Sequence, residues 1–127
     1  MQSITTEERS AISSVHAALL PIIKLTSKTS PISLSIILTL LLVAKHEGKT
    51  VKELSNVSGA LSPSAVSRLL DDLSPVNKTG GVGLGLINKR VDDFDSRYMR
   101  SYLSEKGREL VQKIVSAMDR RPVRVAA

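Results

Sequence analysis

Residues 50–73 hold two short apolar periodicities separated by a glycine and a Ser-Pro pair, and few folds accommodate that order. Val51, Leu54 and Val57 recur every third residue, which predicts a short helix with one apolar side. Gly59 supplies a residue at which that helix can stop. Ser62 and Pro63 then form a helix start, with a hydroxyl to cap free N–H groups and a ring that fixes φ where no N–H is needed. Val66, Leu69, Leu70 and Leu73 fall at i, i+3, i+4 and i+7, a single apolar stripe. Ser64, Ser67 and Arg68 occupy the other face. A second helix with small polar residues and an arginine near its N-terminus is what a major-groove reader needs. A plain αα-hairpin inside a helical core is the other reading of the same pattern.

The chain has 127 residues, enough for one domain with a modest core. Its 42% apolar and 24% charged content is that of a globular protein. Aromatics make up only 2%, so Leu, Ile and Val must build the core, and stacking platforms for single-stranded bases are not expected. The net charge of +6 suits a partner bearing phosphates or an anionic membrane surface, the plain alternative being a basic protein with no nucleic-acid role. That excess is weighted to the C-terminal end: residues 104–127 carry +3 and residues 1–30 carry +1. A nucleic-acid face must therefore be assembled by folding rather than supplied by a basic run. There is no cysteine, which excludes disulfides and thiolate metal sites. The two histidines have no second ligand at helical spacing, and no paired carboxylates fall in a recognisable motif. Neither an enzyme nor a metal or cofactor site is expected.

Thr5 or Thr6 with Glu7 and Glu8 opens an N-terminal helix whose apolar stripe is Ile12, Val15, His16, Leu19, Leu20 and Ile23. Pro21 should kink or interrupt it. The stripe must be covered, by the domain or by a second subunit. Residues 26–31 are a polar break. The segment that follows is the most apolar of the chain, about 13 residues before Lys45, well short of the ~20 that span a bilayer. It reads as a central buried helix, with a strand as the alternative, and His46 as its capping residue. Residues 74–85 are rich in turn formers, and Gly80, Gly81, Gly83 and Gly85 invite a phosphate-loop reading. The run follows a helix and has no Lys-Ser/Thr after the glycines, where such a loop requires one, so a flexible loop or strand entry is the simpler account. Residues 86–91 and 98–103 read as two strands joined by a polar tip at 92–97, a β-ribbon. Ser104 opens a last helix with Leu110, Val111, Ile114, Val115 and Met118 on its apolar face, and the basic end at 120–127 should fray. The N-terminus has no secretory signal pattern, and a cytoplasmic location is expected.

The most specific wording lies in the ribbon and beyond it. Asp95-Ser96-Arg97 is followed, after five residues, by Leu103-Ser104-Glu105-Lys106-Gly107. With Thr50-Val51, Glu53-Leu54, Ser64 and the run Ser67-Arg68-Leu69-Leu70, this resembles the MarR-type winged helix-turn-helix regulators over roughly residues 31–117. The resemblance implies a mainly α fold with a small β-ribbon, a winged helix-turn-helix flanked by N- and C-terminal helices. It divides the chain into an N-terminal helical segment at 1–29, serving dimerisation, a winged core at 31–103, and a C-terminal helix with basic tail at 104–127. It implies a DNA-binding regulator, expected to be a repressor, that reads the major groove with helix 62–73 and the minor groove with wing 91–98. Ser62, Ser64, Ser67 and Arg68 would contact DNA from the helix, Arg97 would enter the minor groove braced by Asp95, and Lys89, Arg90 and Arg100 would meet phosphates. Partners would be double-stranded DNA and a second copy of the chain, with no membrane and no ligand that the sequence names.

The chain departs from the resemblance in places. The 74–85 link is long, Asp92 and Asp93 place acid at the wing, and Pro21 interrupts the N-terminal stripe. A winged-helix module that binds another protein, with little or no specific DNA binding, is therefore the alternative. The nearly balanced charge in the middle of the chain favours it.

Overall fold

The computed structural model describes residues 4–26, 33–76 and 80–119. Packing divides the chain into two compact units, Ile32–Glu109 and the pair Met1–Pro31 with Leu110–Ala127. The elements are α1 (Thr6–Thr26), α2 (Leu34–Lys45), β1 (Lys49–Thr50), α3 (Val51–Ser58), α4 (Pro63–Leu73), β2 (Ile87–Val91), β3 (Met99–Leu103) and α5 (Glu105–Asp119). Among the described residues this is five helices and a small antiparallel sheet, the mainly α winged helix-turn-helix architecture that the sequence resemblance implied.

In the Ile32–Glu109 unit, α2 starts where the Ser33 hydroxyl accepts from the Ile36 N–H at 3.2 Å. The His46 N–H closes the helix by donating to Leu42 O and Val43 O. The helix outcompetes the strand alternative because its apolar residues do not alternate. Ile37, Leu40 and Val43 are buried at i, i+3 and i+6, whereas Leu34 and Leu38 are exposed. Buried Thr39 donates its hydroxyl to Ser35 O at 2.8 Å, so its polar atom adds no desolvation cost. Leu54 of α3 and Val66, Leu69, Leu70 and Leu73 of α4 complete the core with Leu86, Ile87 and Leu103.

The sheet order is β1-β3-β2. β2 and β3 pair from Ile87 opposite Leu103 to Val91 opposite Met99, giving the ribbon expected from the sequence. β1 was not anticipated. It is two residues long, Lys49 opposite Ser101 and Thr50 opposite Arg100, too short for alternation to register. Its edge is extended by Gly48 N–H donating to Ser101 O at 2.9 Å and by the Glu47 carboxylate accepting from Leu103 N–H at 3.0 Å.

The glycine-rich run is pinned at its base. Gly83 N–H donates to Pro75 O, Leu84 N–H to Asp72 O, Gly85 N–H to Ser74 O and Leu86 N–H to Leu73 O. Val76 and Val82 form an isolated antiparallel bridge. The segment thus zips back along the end of α4 before entering β2. A Cβ on Gly83 would lie 1.8 Å from Ser74 O, so the close approach requires glycine there. No helix follows the glycines, which removes the phosphate-loop reading.

In the other unit, α1 is continuous through Pro21, so of the kink or interruption expected there the interruption does not occur. Proline forfeits one backbone hydrogen bond, and a helix of 21 residues retains its bonds on either side. The buried line of α1 is Ser14, Ala18 and Ile22. Ile12, Val15, Leu19, Leu20 and His16 are exposed, so these members of the stripe read from the sequence are not covered by the described residues. On α5, Leu110 and Ile114 are buried, and Val115 and Met118 are exposed. The Ser14 hydroxyl donates to Met118 O at 3.4 Å. The polar break at 26–31 beyond Thr26 and the basic end at 120–127 lie outside the described residues. No helix among the described residues is long and apolar enough to cross a membrane.

Candidate nucleic-acid interface

The helix pair is held by hydroxyls rather than by apolar contacts alone. Thr50 and Glu53 form a reciprocal capping box at the start of α3, with Thr50 N–H donating to Glu53 Oε1 at 2.9 Å and Glu53 N–H donating to Thr50 Oγ1 at 3.3 Å. That backbone bond, above all, holds the Glu53 carboxyl below its usual range. Gly59 caps the other end with φ 82°, the left-handed conformation that favours glycine. Ser55 and Ser58 then shape the turn. Ser58 Oγ accepts from Leu61 N–H at 2.9 Å and donates to Ser55 O at 2.8 Å, while Ser55 Oγ donates to Leu61 O at 2.7 Å. Neither serine was singled out from the sequence. Their only signal was hydroxyls three residues apart beside the glycine. Val57, read as an apolar position of α3, is 48% exposed. Three-residue steps drift off a 3.6-residue period, so only Leu54 is fully buried.

Ser62 caps α4 by accepting from Ala65 N–H at 3.2 Å, and Pro63 occupies the first turn. With Val66, Leu69, Leu70 and Leu73 buried, Ser62, Ser64, Ser67 and Arg68 are left on one exposed face. The Arg68 side chain has no ion pair or hydrogen bond to any described residue, and its guanidinium is available to a ligand.

The wing is a network of ion pairs. Arg97 lies along Asp95 with two parallel bonds, Nε to Oδ1 at 3.0 Å and Nη2 to Oδ2 at 2.7 Å, and its side chain is still 80% exposed. Its guanidinium also lies 5.8 Å from the Tyr98 ring centre. Arg90 and Arg100 face each other across the strands, a repulsive placement that the structure resolves by turning them apart. Arg90 lies over the Tyr102 ring at 4.9 Å. Arg100 donates to Asp92 Oδ1 at 2.6 Å, to Gly48 O at 2.7 Å and to Glu53 Oε1 at 3.5 Å. Lys89 is ion-paired with Asp71 of α4. Lys89 and Arg100, both expected at phosphates, are thus engaged within the protein, each facing a carboxylate that alternation along the strand could not reveal. Of the residues picked from the sequence, Ser62, Ser64, Ser67 and Arg68 gather on α4, and Arg90, Asp95 and Arg97 on the wing. Among the described residues no cluster of His, Asp or Glu is arranged to hold a metal ion.

The Arg100 guanidinium holds the Asp92 carboxyl below the usual carboxylate range, helped by the N–H groups of Phe94 and Asp95. Arg97 does the same for Asp95, first through its side chain and then through its N–H. A carboxyl lowered by folding contributes stability above its unfolded pKa and loses it as pH falls through the lowered folded value. The wing should therefore keep its order at the ordinary aspartate midpoint of about 3.9 and lose it only at lower pH. Carboxylate carbon shifts followed by NMR check this: Asp92 and Asp95 titrating at or above that midpoint would contradict the pairing.

A short helix, a serine-stitched turn, a capped helix with one polar face and a two-stranded wing define a winged helix-turn-helix. No family model matches the chain, and no curated protein sequence matches it. Solved structures do. The Mycobacterium tuberculosis protein RV1404 superimposes with a TM-score of 0.71 at 18% identity, over 94% of this chain and 70% of that one. The transcriptional regulator Tm0710 of Thermotoga maritima gives 0.68 at 17%, over 89% and 70%. The transcriptional repressor CouR, bound to a 23-mer DNA duplex, gives 0.59 at 18%, over 91% and 71%. Structures described as MarR and as a MarR-family regulator match at 0.57 and 0.56. The fold is that of the MarR-type winged-helix regulators.

Proposed function

We propose that the chain is a MarR-family transcriptional regulator that binds double-stranded DNA in a sequence-specific manner, acts as a repressor and works as a homodimer. The observation that carries this reading is the exposed face of α4. Ser64, Ser67 and Arg68, whose side chain is unpaired among the described residues, stand opposite a buried stripe, in the same compact unit as an arginine-bearing wing. The DNA duplex bound to the structurally similar CouR supports it. In this reading Ser62, Ser64, Ser67 and Arg68 meet the major groove and its phosphates, and Arg97, oriented by Asp95, meets the minor groove. Arg90 adds a backbone contact, while Lys89 and Arg100 hold the wing in place. The exposed apolar residues Ile12, Val15, Leu19 and Leu20 of α1 supply a surface for the second copy. No enzymatic role is assigned.

Selection of bound duplexes from a random library tests the proposal. A palindrome with half-sites about one helical turn apart is expected, with affinity falling steeply as salt rises because phosphate contacts release counterions. Recovery of no preferred sequence would defeat the reading. The second reading, a protein-binding module, is favoured by the wing's own charge, where Lys89, Arg90, Arg97 and Arg100 are nearly balanced by Asp92, Asp93 and Asp95. Absence of binding to random duplex at low salt in fluorescence anisotropy would select it.

A further inference from the structure

The most exposed large apolar side chain of the described residues is Phe94, 98% accessible and the only phenylalanine in the sequence. A scattered surface apolar residue is ordinary. Phe94 differs because the backbone beneath it is built rather than loose. The Asp92 carboxylate accepts from Phe94 N–H at 3.0 Å and from Asp95 N–H at 2.9 Å with one oxygen, and binds Arg100 with the other at 2.6 Å. Asp92 N–H donates to Tyr98 O at 2.9 Å and Tyr98 N–H to Asp95 O at 3.1 Å, closing the loop across its base. The ring is therefore carried at the end of the wing on a turn fixed by five bonds.

Its surroundings suit one kind of partner. Two of the three carboxylates at the tip are already neutralised, Asp92 by Arg100 and Asp95 by Arg97. Arg97 stands three residues away with its guanidinium largely in water. An apolar ring beside an exposed arginine is the combination that minor-groove proteins use: the cation is drawn by the groove's negative potential, and the ring wedges between base pairs and unstacks them. We propose that Phe94 is a minor-groove wedge, inserted at a base step when the wing engages DNA, so that specificity at that step comes from the ease of unstacking. Flexible pyrimidine–purine steps would be favoured there. The inference rests on the DNA-binding reading and goes beyond it, since groove entry by Arg97 alone needs no unstacking.

The test uses the full chain and a duplex selected by it from a random library, with 2-aminopurine placed in turn at each step under the wing. Binding is expected to raise the fluorescence at one step, the mark of an unstacked base. Phe94→Ala should abolish that rise and weaken binding about tenfold, while Phe94→Leu, which keeps an apolar wedge, should retain it. The ring is in water, so the fold tolerates both changes, and unchanged thermal melting of each variant serves as the control. Selection repeated with Phe94→Ala should lose the pyrimidine–purine preference at that position. Binding by the wild type without a fluorescence rise, or a rise that Phe94→Ala preserves, overturns the wedge and leaves the DNA-binding reading standing. Failure of the wild type to select any duplex overturns both.

Discussion

Replacing Gly107 with alanine is expected to destabilise the chain by about 1–3 kcal/mol, although the substitution would stabilise most helices. Gly107 lies in the first turn of α5, where alanine is favoured over glycine by about 1 kcal/mol on propensity. Here a Cβ would fall 1.9 Å from Leu86 O and 2.9 Å from Leu86 C. Those are backbone atoms of a buried residue, and no rotamer change relieves them. Leu86 O also accepts from Ser104 N–H at 3.0 Å, and Ser104 Oγ bonds Gly85 O at 2.7 Å while accepting from Gly107 N–H at 3.0 Å. The displaced strand entry would take the helix cap with it. The steric term exceeds the propensity term, so the sign is destabilising. Urea denaturation decides: a midpoint for Gly107→Ala at or above that of the wild type would show that the helix start and the entry to β2 separate freely.

Under the proposed DNA-binding reading, Arg68→Ala is expected to flatten sequence preference, with discrimination at one base pair falling by about 1–3 kcal/mol, the range for a bidentate arginine on guanine. Arg68 lies on the exposed face of α4 with Ser64 and Ser67, and its removal leaves the buried stripe untouched. Stability should be unchanged, which separates this effect from unfolding. Arg97→Ala should act differently, lowering affinity with little change in major-groove preference. It would also leave Asp95 without its bidentate partner and expose a carboxylate toward phosphates. Gel shifts on cognate and single-mismatch duplexes measure both quantities. Variants that bind all of them as the wild type does would place the reading surface elsewhere.

Much of the fold was legible because it depends on local chemistry. The Ser62-Pro63 start, the Gly59 stop and the i, i+3, i+4, i+7 stripe of α4 each follow from one helical turn of sequence. The ribbon followed from alternation bounded by a polar tip. What escaped depends on contacts between distant residues. β1 exists because Gly48, Lys49 and Thr50 find an open edge on β3, and two residues carry no period. For the N-terminal helix, periodicity could not tell which residues pack within the chain: the buried line runs through Ser14, Ala18 and Ile22, while Ile12, Val15, Leu19 and Leu20 of the apolar stripe stay exposed. For the candidate site, the grouping on α4 was readable from periodicity. The division among the wing cations was not: Lys89 and Arg100 differ from Arg90 and Arg97 only in which carboxylates or rings folding brings beside them.

The backbone ladder from Gly83 to Leu86 along the end of α4 has a bearing on how this protein can vary. It closes the intervening segment at its base, so β2 takes its direction from α4 and not from whatever lies between Val76 and Val82. A loop sealed in this way can lengthen at small entropic cost, about 0.6 kcal/mol for each doubling. Changes in length or composition between Val76 and Val82 can therefore leave the direction of β2, and with it the wing, as it is.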